Sequence, residues 1–227
     1  MTDPGSSTVA EISSRLAEVR QRIDDARQPG QEVSILAVTK AFGPGVVERA
    51  VAAGLTTLGE NYGQELTAKA EAVGERSPET AARIRWHFIG GLQSNKIKLL
   101  GELVDVWQTI DRKSLVKELA KRCPGAKMLV QVNTTNEPQK SGCAPGDVPA
   151  LVEMAREREL DVQGLMTVGP TDGSDPRPAF NQLRRLGTDL GLSELSMGMS
   201  GDYEIAVGSG STIVRLGSAL FGSRVVS

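Results

Sequence analysis

Eight short apolar segments that alternate with helical patterns constrain the fold of this sequence more than any other feature. The segments run over 33–39, 56–61, 84–90, 104–110, 127–133, 162–168, 195–199 and 212–217. Nearly continuous apolar runs of this length are typical of strands buried on both faces of a parallel sheet. Between them, apolar residues at helical spacing and Pro or Gly at segment ends predict helices over 44–53, 61–73, 94–100, 113–122, 147–159 and 178–190.

This alternation predicts the α/β class with a parallel sheet. The chain lacks the GxGxxG opening of a dinucleotide-binding unit, and its 227 residues suit one closed barrel. We therefore predict a single (β/α)8 TIM-type barrel over residues 9–227, preceded by a flexible N-terminus over residues 1–8. An extra N-terminal helix is predicted because apolar residues recur three and four positions apart at Val9, Ile12, Leu16, Val19 and Ile23.

Composition argues against several classes of protein. Charged residues make up 24% and the net charge is −2, without the basic stripe of a nucleic-acid-binding protein. His87 is the only histidine, and Cys123 and Cys143 form neither a CxxC pair nor a disulfide framework, which argues against a zinc site. The first residues lack a signal-peptide pattern, and no apolar run is long enough to span a membrane. We expect a cytoplasmic protein without nucleic-acid or membrane partners.

Candidate functional residues follow the predicted strands, whose carboxyl ends meet on one face of a barrel. Lys40 ends the stretch "ILAVTK", and it is either a solvated lysine or an amine that points into a site. The convergence of polar residues on the same face favours the second interpretation. The other strand-end residues are Asn61, His87 to Gly91, Asn133, Met166 to Thr167, Met199 to Ser200, and Arg215 to Ser218.

The last two strand ends predict a phosphate site. Ser200 and Gly201 follow one strand, Gly217 and Ser218 follow the next, and each pair precedes a helical pattern. Helix N-termini after strands 7 and 8 commonly bind phosphate in such barrels. Helix capping by serine alone is the structural alternative. The stretch "VGSGST" at 207–212 lacks the GK[ST] ending of a P-loop.

Some charged and polar residues have structural interpretations as well. Arg215 lies in an apolar strand, where a guanidinium needs a carboxylate, a ligand acceptor or an outward position. His87, beside Trp86, is also typical of a hydrogen-bonded core histidine. The lysines at 96, 98 and 140 are predicted to lie in solvated loops or helices.

Several motifs, in order along nearly the whole chain, resemble the pyridoxal 5′-phosphate (PLP) homeostasis protein family, which is similar to the barrel domain of alanine racemase. They are "LAVTKAF", "GENYGQE", "HFIGGLQSNK", "QVNTTNEPQKSG", "GLMTVGP" and "LSMGMSGDYEIAVGSGSTIVRLGSALFG". The resemblance implies that Lys40 forms a Schiff base with PLP and that Arg215 faces the pyridine nitrogen. It also implies that Ser200, Gly217 and Ser218 hold the phosphate, and that Asn61, His87 and Met166 line the pocket. Two positions depart from the family pattern: Gly91 stands where proline is expected, and Ser218 replaces the commoner threonine.

The resemblance implies binding more than catalysis. The lysine amine must be deprotonated to condense with an aldehyde, so its pKa must be lowered from about 10. Arg215 would keep the ring nitrogen unprotonated and the ring a weak electron sink. Racemisation needs acids or bases on both faces. In the racemases one is a tyrosine of a second, all-β domain, which we do not expect here because the chain ends at Ser227 and its tyrosines, Tyr62 and Tyr203, lie in the barrel.

We therefore expect a monomer that binds, buffers and delivers PLP to apo-enzymes with little or no catalysis. Lys140 is a candidate secondary amine during transfer. The main alternative is a PLP-dependent amino-acid racemase using the same lysine. A class I aldolase-type enzyme, in which the lysine condenses with a sugar phosphate, and a barrel degenerated into a protein-interaction module are further alternatives.

Overall fold

A computed structural model describes residues 7–222 of the chain, and its centre is a closed barrel of eight parallel strands in the order β1 to β8. The strands are β1 Ser34–Val38, β2 Thr57–Glu60, β3 Arg85–Phe88, β4 Val106–Ile110, β5 Lys127–Gln131, β6 Asp161–Met166, β7 Glu194–Met199 and β8 Ile213–Leu216. The helices are α1 Val9–Ala26, α2 Gly45–Ala52, α3 Gly63–Arg76, α4 Pro78–Ala81, α5 Ile97–Leu100, α6 Lys113–Arg122, α7 Val148–Arg156, α8 Arg177–Asp189, α9 Tyr203–Gly208 and α10 Ser218–Phe221. Single turns of 3-10 helix precede α5 and α7, at Ser94–Lys96 and Pro145–Asp147.

Pairing of the first strand with the last closes the barrel. Leu36 of β1 lies opposite Arg215 of β8, while Val38 of β1 lies opposite Gly59 of β2. The predicted (β/α)8 barrel is confirmed, and all eight strands fall at the predicted places. The closure brings the carboxyl ends of β1 and β8 together, so residues from the two ends of the chain can share one site.

The apolar residues form two cores, one on each face of the sheet. The larger core lies between the helices and the outer face of the barrel, and includes Trp107, Phe180 and Leu216. A small core of Leu36, Val106, Leu129, Met166 and Ile213 forms a separate cluster, and it comes from strand positions of the opposite, inward face. Buried polar side chains also lie on the barrel strands: His87 on β3, Gln108 on β4, Ser196 on β7 and Arg215 on β8.

The N-terminal helix α1 packs against α2, α9 and α10. Thr8 caps it: its hydroxyl accepts from the Glu11 N–H (3.2 Å), and the Glu11 carboxylate accepts from the Thr8 N–H (2.7 Å). Residues 1–6 of the predicted flexible N-terminus lie outside the described residues. Within residues 7–222, no helix has both the length and the apolar character needed to cross a bilayer.

Helix ends differ more from prediction than strands do. The helix predicted over 147–159 ends at Arg156, because Glu159 adopts a left-handed conformation (φ 57°) that interrupts the helix. The short helix α4 was not predicted, since four residues carry no measurable periodicity.

Candidate functional site

A cavity of about 420 Å³ lies at the carboxyl ends of the strands. This volume is in the range of small-molecule sites. Seven of the eight residues predicted for the site line it: Lys40, Asn61, Met166, Ser200, Arg215, Gly217 and Ser218. The cavity opens at a rim that includes Met199, which is 39% exposed. The geometry thus collects the predicted residues, and their role in cofactor binding stays a prediction.

A buried ion pair contacts the residue just before Lys40 and stabilises the turn that carries it. Lys69 of α3 is 2% exposed and contacts the Glu60 carboxylate at the end of β2. Its ammonium also donates to the Thr39 carbonyl (2.7 Å), and the Thr39 hydroxyl donates to Glu60 (2.7 Å). Burial raises the pKa of the Glu60 carboxyl, and the neighbouring Lys69 ammonium opposes that rise. These bonds fix the residue immediately before Lys40.

The residue after Lys40 is held by the same helix. Ala41 has a left-handed conformation (φ 61°), and its N–H donates to Glu65 Oε2 (2.8 Å). Glu65 in turn contacts Lys69 (3.3 Å). A left-handed alanine costs about 1–2 kcal/mol, so the surrounding bonds must maintain it. We call Thr39, Glu60, Glu65 and Lys69 the clamp of the Lys40 turn.

The two turns after β7 and β8 adjoin one another. The Ser200 hydroxyl accepts from the Ala219 N–H (3.2 Å), which links the first turn to the beginning of α10. The Asp202 carboxylate accepts from the Met199 N–H (2.6 Å) and fixes the turn around Ser200. At Gly201 an added Cβ would meet no atom within 4 Å, so the backbone there faces open space. This arrangement leaves room for an anion between the turns.

Arg215 is 4% exposed and is bound only by neutral acceptors. Its Nη1 donates to the Ser196 carbonyl (2.8 Å) and hydroxyl (2.9 Å), and its Nη2 donates to the Thr167 carbonyl (2.7 Å). These bonds use three of the five N–H groups of a guanidinium. In the part of the chain that the structure describes, no carboxylate forms an ion pair with it, so the structural salt bridge considered from sequence is not found. Burial lowers the pKa of Arg215 to about 10, which leaves it cationic at neutral pH.

Asn61, which lines the cavity, has an unsatisfied acceptor. Its Oδ1 is buried and has no hydrogen-bond partner among residues 7–222. Its backbone is fixed by Gly90, where a Cβ would lie 1.8 Å from the Asn61 carbonyl oxygen. Buried acceptors without a partner are uncommon and point to a missing donor, such as a ligand.

Two predicted residues, His87 and Asn133, do not line this cavity. The resemblance implied that His87 lines the pocket, and Asn133 was a candidate because it follows a predicted strand. His87 Nδ1 lies 2.8 Å from Gln108 Nε2, and its ring borders a second cavity lined by Arg85 and Lys127 at the strand beginnings. The contact of His87 with the buried Gln108 side chain places its ring in the barrel interior. The side-chain amide of Asn133 donates to the Glu137 carbonyl (3.0 Å) in the loop that follows β5.

Lys140 is not solvated as predicted. Its side chain is 11% exposed, and its ammonium lies 2.5 Å from both the Glu137 carboxylate and the Gly169 carbonyl. Within residues 7–222, no group of three or more His, Cys, Asp and Glu side chains is placed to hold a metal ion.

Sequence reasoning missed the clamp and part of the cavity wall. One signal was present: Lys69 occupies the apolar stripe of α3 with Leu66 and Val73, where a lysine needs an explanation. The wall residues that were not predicted are Val38, Gln131 and Val168, which lie just before or after the strand ends that were singled out.

Known proteins share this architecture. Residues 14–225 match the family model described as "Alanine racemase, N-terminal domain". The fold and the strand-end cavity therefore define a barrel protein of the alanine racemase N-terminal domain class. The chain is 40% identical to the pyridoxal phosphate homeostasis protein of Pseudomonas aeruginosa, over 96% of each chain. It belongs to the pyridoxal phosphate homeostasis protein family.

Two solved structures resemble the whole chain. One is a protein from Bifidobacterium adolescentis, with a TM-score of 0.85 and 35% identity over 97% of this chain and 98% of that one. The other is PipY of Synechococcus elongatus PCC7942 with PLP bound, with a TM-score of 0.80 and 30% identity over 93% of this chain and 100% of that one.

Proposed function

We propose that this protein binds pyridoxal 5′-phosphate in the strand-end cavity, through Lys40, and acts in PLP homeostasis. The observation that carries the proposal is the convergence of an amine, a buried guanidinium without a carboxylate and two adjoining small-residue turns on one cavity. Those three features correspond to an aldehyde, a ring acceptor and a phosphate. PipY, solved with PLP bound, supports the same cofactor here.

The residues present fit the cofactor. Ser200, Gly217 and Ser218 would hold the phosphate, Arg215 would donate to the pyridine nitrogen, and Met166 would pack beside the ring. The unsatisfied Oδ1 of Asn61 would accept from a hydroxyl of the cofactor. When bound, PLP supplies an aldehyde that condenses with the amine of Lys40.

The cavity is better equipped for binding than for racemisation. Of the residues that line it, Lys40 has the only amine, and none has a carboxylate, imidazole, phenol or thiol. Racemisation needs a proton donor and acceptor on opposite faces of the substrate. A cationic Arg215 also disfavours protonation of the pyridine nitrogen, which weakens the ring as an electron sink. We therefore propose storage and transfer with little or no catalysis.

Transfer requires access, and the open rim provides it. We propose that a cytoplasmic monomer buffers PLP and delivers it to apo-enzymes. Lys140 remains a candidate secondary amine, although its ammonium would first have to leave Glu137 and the Gly169 carbonyl.

The visible absorption spectrum of the purified protein with added PLP tests the proposal. We expect a yellow protein that bleaches on borohydride reduction and retains the cofactor on Lys40 after digestion. Lys40→Ala should abolish the covalent label, while Lys98→Ala, at an exposed position, should not. A colourless wild type, or a label on another lysine, would refute the proposal. Racemisation of L-alanine by the same sample at an enzymatic rate would support the racemase alternative.

A further inference from the structure

A chain of hydrogen bonds crosses the barrel interior from Arg215 to His87. Arg215 Nη1 donates to the Ser196 hydroxyl (2.9 Å), Ser196 Oγ donates to Gln108 Oε1 (2.7 Å), and Gln108 Nε2 lies 2.8 Å from His87 Nδ1. The four side chains come from β8, β7, β4 and β3 and are at most 8% exposed. The chain therefore spans the barrel cross-section under the proposed cofactor site.

The donor and acceptor of every bond in this chain follow from Arg215 at its one end. A guanidinium can only donate, so the Ser196 oxygen must accept from Arg215 and use its own hydrogen for Gln108. That places the Gln108 carbonyl toward Ser196 and its NH₂ group toward His87. With the Gln108 amide flipped, the Ser196 hydrogen would lose this acceptor. His87 Nδ1 must then be the acceptor of a neutral ring whose proton sits on Nε2.

His87 is suited to end this chain. Burial lowers its pKa to about 4, although Asp105 opposes the change, so the ring is neutral at physiological pH. Only the neutral ring offers Nδ1 as an acceptor. No other described side chain accepts from the Gln108 amide, so His87 holds the Gln108 amide in the orientation that Ser196 and Arg215 require.

The chain determines where the donors of Arg215 point. Nη1 is held by the hydroxyl and carbonyl of Ser196, and Nη2 is held on one side by the Thr167 carbonyl. A planar guanidinium fixed at these positions directs its remaining N–H groups in defined directions. Since Arg215 lines the cavity, they are available to a ligand there.

We propose that Ser196, Gln108 and His87 are positioning residues that hold the Arg215 guanidinium toward the ring nitrogen of PLP. This inference rests on the proposed function. It adds that the site prefers a ligand whose ring nitrogen can accept a hydrogen bond from Arg215. None of the three residues lines the cavity, so they act through Arg215.

The test compares the dissociation constants of PLP and 1-deaza-PLP, in which C–H replaces the ring nitrogen, by equilibrium dialysis. The preference of the wild type for PLP should be about tenfold or more, as expected for a hydrogen bond from a charged group. Ser196→Ala and Gln108→Leu should reduce this preference to about twofold or less. Affinity for 1-deaza-PLP should change little, because it does not use the positioned donor.

The control is Thr109→Val, which alters a buried side chain next to Gln108 in β4 whose hydroxyl has no hydrogen-bond partner within residues 7–222. The Thr109→Val variant should keep the wild-type preference for PLP over 1-deaza-PLP. If Gln108→Leu fails to fold, Ser196→Ala, which is the smallest change, still provides the test. An unchanged preference in Ser196→Ala overturns the inference alone, as does a wild type that binds both compounds equally. A wild type that binds neither compound overturns the proposed function and the inference with it.

Discussion

At the scale of single residues, His87 illustrates how environment decides the role of a side chain. A histidine in a strand can be a catalyst, a ligand or a core residue, and the resemblance placed it in the pocket. The structure instead places its ring in the barrel interior, against Gln108 and away from the strand-end cavity. Its burial favours the neutral form, which links protein stability to pH.

The depressed pKa of His87 predicts a loss of stability in mild acid. Between pH 6.5, its ordinary value, and about 4, the unfolded chain binds a proton that the folded chain does not. The free energy of unfolding should therefore fall as pH decreases through this window. At about 1.4 kcal/mol per unit of pKa difference, the contribution is roughly 2 kcal/mol between pH 7 and pH 4.5.

Urea unfolding of the wild type and His87→Gln at pH 7 and pH 4.5 measures this contribution. Glutamine keeps an acceptor for Gln108 but does not titrate, so the variant should lose less stability than the wild type. Because other groups titrate alike in both proteins, the difference between them isolates His87. Equal losses in the two proteins would contradict the prediction.

At the scale of elements, α1 supports the two helices next to the proposed phosphate turns. Arg15 Nη1 donates to the Leu220 carbonyl (3.3 Å) and to the Ser7 hydroxyl (2.6 Å), and Ser7 donates to the Phe221 carbonyl (2.6 Å). Gln31, just after α1, donates to the Val207 carbonyl of α9 (3.0 Å). The last carbonyls of short helices have no partners within the helix, and here residues from the N-terminal segment satisfy them.

Removal of the Arg15 guanidinium should destabilise the protein by about 1 kcal/mol, the typical net value of one hydrogen bond. Arg15→Met keeps most of the aliphatic length but leaves the Leu220 carbonyl of α10 without its donor. The control, Arg20→Met, changes an exposed arginine of the same helix. Urea unfolding at pH 7 provides the comparison, and equal stabilities of the two variants would argue against the support that α1 gives to α10.

The elements also show what the sequence can predict and why. Strands were located because burial on both faces makes them continuously apolar, and Lys40 and Arg215 were located because strand ends converge in a barrel. The clamp and the polar chain could not be found in this way. The contact between Ser196 and Gln108 joins residues 88 positions apart, and only the packed barrel shows that they meet.

At the scale of the whole molecule, the site depends on closure of the barrel between β1 and β8. Lys40 follows the first strand, and Arg215, Gly217 and Ser218 belong to the last strand and its turn. A ligand bound to all of them should stabilise the closed barrel as one unit. In contrast, a site built from one hairpin or helix pair could persist after part of the chain had unfolded.

PLP should therefore raise the free energy of unfolding, by about 2.7 kcal/mol at a free concentration 100 times its dissociation constant. Far-UV circular dichroism and the visible absorption of bound PLP should be lost at the same urea concentration. Lys40→Ala should show a smaller increase under the same conditions. Loss of the visible signal well before the circular dichroism signal would indicate that the site opens independently of the barrel.

The pairing of β1 with β8 also has a consequence for synthesis of the protein. The amine at position 40 leaves the ribosome well before the groups at positions 200–218 that we propose to hold the ring and the phosphate. A growing or prematurely terminated chain carries a lysine no more selective for the aldehyde than any other surface amine. On the proposed function, retention of PLP requires a chain translated through β8, and we expect shorter fragments not to withdraw the cofactor from the cell.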